Sequence, residues 1–128
     1  MSEKRIFPRF SCQMKVRFRF HEGDPDIVNT ETSPSRKGKG IVLDISRGGV
    51  FIATDTRVSI NIPITMNFRT KRETFTITGT IVRTGRMKDN PSEVAMKYSH
   101  LRIRRDAYIA VQFIHPIENF DETEILKP

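Results

Sequence analysis

A chain of 128 residues is near the common size of one domain, enough to bury a single core and too short for two substantial ones. Its 22 Lys and Arg against 15 acidic residues leave a formal charge of +7, which favours an anionic partner: nucleic acid, a phosphorylated small molecule or an acidic membrane surface. The lone Cys12 excludes an intramolecular disulfide and fits a reducing compartment, so a cytoplasmic location is expected; the polar start and the lack of eighteen consecutive apolar residues argue against a secretory leader or a membrane span.

Ahead of the first predicted strand lies KRIFPRF, where Pro8 disfavours a helix and Lys4, Arg5 and Arg9 gather positive charge. Between residues 12 and 20, Cys12, Met14, Val16, Phe18 and Phe20 alternate with Gln13, Lys15, Arg17 and Arg19, the period-2 pattern of a half-buried strand. Residues 21–40 are rich in Gly, Pro, Ser, Thr and charge and read as a long loop. A second strand, Ile41 to Ile45, the turn S-R-G-G and a third strand from Val50 to Ala53 make a hairpin.

Ile62, Ile64, Met66 and Phe68 then alternate with Pro63, Thr65, Asn67 and Arg69, with the proline marking an edge or an entrance. After a TKRE reversal, Phe75, Ile77, Gly79 and Ile81 face one way and Thr74, Thr76, Thr78 and Thr80 the other, leaving a wet threonine face. Residues 87–105 have no clear period: K-D-N-P marks a turn, Val94 to Tyr98 suits a short strand, and L-R-I-R-R fits strand, loop or helical turn. Tyr108 to Ile114, apolar on both faces except at Gln112, reads as a buried strand stopped by Pro116. The tail from Asn119 makes a short helix only if it docks on the body. Five to seven short strands with almost no helix predict an all-β fold, a small antiparallel barrel or sandwich, because closure removes unpaired edges.

Two short motifs carry chemistry. Arg5 and Arg9, spaced R-x-x-x-R, each present a planar fork of donors that matches phosphate oxygens and the O6/N7 edge of guanine. Pro8 lowers the entropy of a free arm and so the cost of ordering it. Alone, such a pair is more often a solvated basic terminus. The second motif is D-I-S-R-G-G, residues 44–49. An ionised Asp44 accepts from the N1–H and exocyclic amine of a guanine edge, the Ser46 hydroxyl donates or accepts, and Gly49 permits positive φ or a close approach to a ligand. Alone, this turn reads equally as an Asp and a Ser bonded to their own backbone.

Taken together, R-x-x-x-R ahead of a barrel strand and D-x-S-x-x-G at a hairpin turn resemble the PilZ domain, the bacterial receptor module for cyclic di-GMP. The resemblance runs from about Lys4 to Ile114, including the G-V-F-I strand after the turn and the closing A-V-Q-F strand, and all five motif positions are filled: Arg5, Arg9, Asp44, Ser46 and Gly49. It implies a six- or seven-stranded barrel over residues 11–118 with a long loop at 21–40, an N-terminal clamp arm over residues 1–10, and a tail or short helix at 119–128. The implied function is a cyclic di-GMP receptor, an adaptor whose arm orders on ligand binding and signals by contact with an unidentified protein. Many family members place an arginine where Lys4 stands, so one bound nucleotide or an intercalated pair both remain open. Arg47 and Gly48 lie inside the turn; Arg47 reads evenly as a phosphate contact or a solvated side chain.

Other readings follow from what is missing. The catalytic signatures G-x-S-x-G, glycine-rich loop with Lys, and H-E-x-x-H do not occur, so no enzyme activity and no cofactor are expected. His21, His100 and His115 lack metal-ligand spacing. Cys12 lies on the core face and reads as a small buried hydrophobe. The competing classes are a basic barrel that stacks single-stranded RNA or DNA on its nine Phe and two Tyr, and a nucleotide-independent interaction module. Most of the Phe alternate into the core, so neither DNA nor RNA is the expected partner.

Overall fold

The computed structural model describes residues 8–21, 26, 29, 34–69, 74–89 and 106–117. Among the described residues six strands form, in chain order β1 (Phe10–His21), β2 (Ser35–Ile45), β3 (Gly49–Thr54), β4 (Pro63–Arg69), β5 (Thr74–Arg86) and β6 (Ala107–Phe113). They close into one antiparallel barrel in the order β1-β2-β3-β6-β5-β4, with β4 pairing back onto β1. Closure leaves no open edge, the physical reason a chain of short alternating strands adopts it.

The period-2 patterns point the expected side chains inward. Val16, Phe18 and Phe20 from β1, Val42 and Ile45 from β2, Ile52 from β3, and Ile64, Met66 and Phe68 from β4 are all buried in one central cluster. Ile81, Ile109, Val111 and Phe113 complete it from β5 and β6. A second cluster lies on the outer wall of β2, β3 and β6, where Leu43, Phe51, Ala53 and Tyr108 are buried together with Met87 from the 3-10 turn Met87–Asp89. The Phe51 and Tyr108 rings stack with centroids 5.3 Å apart. β3 is therefore apolar on both faces and buried on both.

Two expectations are corrected, the start of β2 and the place of Ile114. β2 begins at Ser35 and not at Ile41, because Arg36–Gly40, expected as loop, pair with Phe20–Val16 of β1. Composition hid this: the glycines there are demanded by close packing, a Cβ at Gly40 falling 2.4 Å from the Ala53 carbonyl oxygen. β5 runs on past Ile81 to Arg86, since Arg83–Arg86 pair with Ala110–Ala107. Ile114, placed in the last strand by its apolar side chain, follows the end of β6 and is 58% exposed. The TKRE reversal, the alternatives for residues 90–105 and the tail from Asn119 lie outside the described residues, as do most of residues 22–33. Among the described residues, no helix is long and apolar enough to cross a membrane.

Candidate functional site

Strict alternation along β2 would point Leu43 outward and Asp44 into the core. The ladder instead shifts register between Val42 and Asp44, so that Val42 pairs with Ile52 while Asp44 pairs with Phe51 of the outer cluster and with exposed Ser11 on β1. Residues directly opposite share a face, so this bulge turns Asp44 onto the outer wall and returns Ile45 to the core. A carboxylate that alternation would bury unpaired among apolar side chains is thereby set at the surface.

Arg9 immediately precedes β1, whose first pair is Phe10 with Ile45. Its Nη1 lies 3.7 Å from Asp44 Oδ2, with the arginine side chain 39% exposed and the aspartate 14%. The two residues thus meet on one outer wall, across the strand pair β1–β2. A partly exposed pair at this distance contributes at most about 1 kcal/mol, so an incoming ligand with better partners for both groups separates it readily.

Ser46 opens the turn to β3. Its N–H donates to the Gly49 carbonyl at 2.9 Å, and its Oγ accepts from the Gly48 N–H at 3.1 Å. A hydroxyl that accepts from the turn retains its own proton to donate. The turn is also tied to β6 and the segment after it: Phe113 N–H donates to the Gly48 carbonyl and Ile117 N–H to the Arg47 carbonyl, each at 2.9 Å. Arg47 Nε returns a bond to the Ile117 carbonyl at 2.8 Å.

These contacts change the reading of two motif residues. Gly49 has its φ outside the left-handed region, and its missing side chain makes room for protein: a Cβ there would fall 2.4 Å from the Val111 carbonyl oxygen of β6. Arg47 is neither simply solvated nor directed by its Nε at a ligand, being bonded both ways to Ile117, a partner no local pattern flags. Truncating Arg47 to alanine removes one charge-assisted bond, so Tm is expected to fall by a few degrees, about 1–2 kcal/mol, in a calorimetric scan. Lys4 and Arg5 lie outside the described residues.

Cys12 sits beneath this wall, packed on the core, with its Sγ 3.6 Å from the Val42 carbonyl oxygen. Burial, helped by the nearby Asp44 charge, pushes its thiol up to about 12. The raised value means that the neutral thiol is favoured in the fold: this contribution is intact below about pH 9 and is lost as pH rises from there toward 12. Iodoacetamide at pH 8 is therefore expected to label the native barrel far more slowly than the guanidinium-unfolded chain, as followed by mass spectrometry. Equal rates would contradict the burial.

An arginine fork, a carboxylate and a hydroxyl thus share one end of the β1–β2 ladder and the turn beyond it. Residues 3–126 match the sequence model of the PilZ domain. In structure the chain is similar to the inhibitor of motility MotI/DgrA of Bacillus subtilis, at 11% identity and a TM-score of 0.55, over 97% of this chain and 49% of that one. It thus spans about half the length of the Bacillus protein. It is also similar to the PilZ domain with c-di-GMP of YcgR from Escherichia coli, at 11% identity and a TM-score of 0.53, over 94% of this chain and 82% of that one. No individually curated protein matches it in sequence. With the family match covering nearly the whole chain, and the closed barrel shared with these neighbours, the chain belongs to the PilZ domain family.

Proposed function

We propose that this protein is a cytoplasmic receptor for cyclic di-GMP that acts as an adaptor rather than an enzyme. Membership of the PilZ family supports a receptor or adaptor kind of function, and one solved neighbour is a PilZ domain with c-di-GMP. The observation that carries the reading to this chain is the meeting of Arg9 with Asp44, 35 positions apart in sequence and 3.7 Å apart in space.

In this reading Arg5 and Arg9 grip phosphate and guanine through bidentate charge-assisted bonds. Asp44 takes the N1–H and amine of a guanine edge, and Ser46 donates its remaining proton. Gly48 and Gly49 shape the turn, Arg47 braces it, and Lys4 adds a point charge. Residues 1–10 form the clamp arm, residues 11–118 the barrel and residues 119–128 the tail. Ligand binding orders the arm ahead of β1, which carries Ile6 and Phe7 with it and so presents a new apolar surface to a partner protein next to Phe10, already paired with Ile45 in β1. Isothermal titration of the intact chain with cyclic di-GMP tests this and counts the ligands. Heat-silent, binding-silent titration at tens of micromolar would end the proposal.

A further inference from the structure

We propose that the outer face of β1, β2 and β4 is a docking surface for an acidic protein segment. Arg17 and Arg19 on β1 stand directly opposite Lys39 and Lys37 on β2, and opposite Asn67 and Thr65 on β4. The two rows continue to Thr76 and Thr78 on β5. Lys15 lies next to them on the same face, and all five cations are exposed. Among the described residues, none of the five is ion-paired with a carboxylate. Like charges placed directly opposite across a ladder destabilise it, and both of these rows oppose arginine to lysine. A face that carries this repulsion with no carboxylate paired to it among the described residues is matched to a partner that brings the missing charge.

The chemistry of the face narrows that partner. A depression of about 460 Å³ is lined by Arg17, Arg19, Lys37, Thr65, Asn67 and Thr76. Thr76 Oγ1 donates to Asn67 Oδ1 at 2.7 Å, which leaves the amide N–H groups of Asn67 to donate elsewhere. Guanidinium and ammonium groups are donors only, so the site reads an acceptor-only anion, carboxylate or phosphate.

Shape and surroundings then favour the carboxylates of a protein. A bilayer is flat and does not enter a depression. Single-stranded nucleic acid is held by stacking on exposed aromatics, and the large exposed apolar side chains among the described residues are Ile60, Val82 and Ile114, none of them aromatic. Arg17 and Arg19 are two residues apart on one strand, roughly 7 Å, close to the spacing of carboxylates at alternate strand positions or one helical turn apart. The face lies toward the opposite end of the β1–β2 ladder from the Ser11–Asp44 pair, so both can be occupied at once and neither proposal depends on the other.

The test uses a fluorescein-labelled helical peptide with a glutamate face, followed by anisotropy at about 0.15 M salt, where charges beyond about 8 Å are screened. The full chain binds the peptide. The R17E/R19E variant weakens binding at least about tenfold, whereas R83E/R86E, an equal charge change at the far end of β5, leaves it within about twofold. Should charge reversal unfold the barrel, R17Q/R19Q carries the same readout, and relief of the like-charge rows is expected to raise its Tm by about 1–3 °C. A lower Tm would mean that these cations stabilise the sheet, and would remove the premise. No peptide binding, equal losses in both reversed variants, or tighter Arg17- and Arg19-dependent binding of a poly-dT oligonucleotide or of phosphatidylserine vesicles would overturn the proposal. Cyclic di-GMP titration of R17E/R19E, expected to match the parent chain within about twofold, separates failure here from failure of the nucleotide reading.

Discussion

Replacing Arg9 with alanine is expected to weaken cyclic di-GMP binding by roughly ten- to a hundredfold, the largest functional effect among the single changes considered. A bond between an ionised side chain and a ligand is worth on the order of 1.5–3 kcal/mol, and each 1.4 kcal/mol is about tenfold in affinity. Asp44→Ala is expected to fall in the same range, because guanine's two donors would meet no acceptor. The double change R9A/D44A should cost more than the sum of the two, by about the small energy of the pair itself. In the free protein the two side chains already pair at 3.7 Å, so each single change also removes a contact that the ligand must otherwise break. Isothermal titration of the four proteins checks this as a cycle. Affinity unmoved by either single change would show that the ligand, if bound, lies elsewhere on the barrel.

The largest structural effect is expected at Gly49, where alanine places a Cβ 2.4 Å from the Val111 carbonyl oxygen. That oxygen belongs to the backbone of β6, which pairs with β3 through Gly49–Gln112 and Val50–Val111, so no side chain can rotate out of the way. The strands must part at the corner where the turn is also held by Gly48 and Phe113. Overpacking of this kind costs roughly 1–3 kcal/mol, or on the order of 5–15 °C in Tm. Thermal unfolding of G49A measures it. The same protein tests the motif: with Gly49 serving the barrel rather than the ligand, the folded fraction of G49A should keep cyclic di-GMP affinity within about threefold. A loss of affinity with Tm unchanged would return Gly49 to the ligand.

The two effects divide the D-x-S-x-x-G motif into parts with different jobs. Asp44 offers a carboxylate on the outer wall and Ser46 a buried hydroxyl at the start of the turn, while Gly49 and Arg47 hold the turn to β6 and to Ile117. In the proposed receptor, a ligand on Asp44 and Ser46 would rest on a corner braced from a distant part of the chain.

Much of this was legible in the residues alone. Alternation is a local property, and in β1, β4 and the first part of β5 it names the buried side chains correctly because each strand keeps one face to the core. Spacing also singled out Arg9, Asp44 and Ser46, since a planar fork, a carboxylate and a hydroxyl declare their chemistry wherever they lie. Non-local packing decided the rest. The bulge at Leu43, which turns Asp44 outward, shows only in the pairing of β2 with its neighbours β1 and β3. The glycines of S-R-K-G-K-G read as loop because their purpose, room for another strand, cannot be seen without that strand. Arg47 finds Ile117 across 70 positions, and nothing near either residue announces the bond. Side-chain character and period were set by the sequence itself. Which wall each charge stands on, and which glycine serves the frame, were settled only when the sheet closed, because those outcomes depend on backbones that meet from opposite ends of the chain.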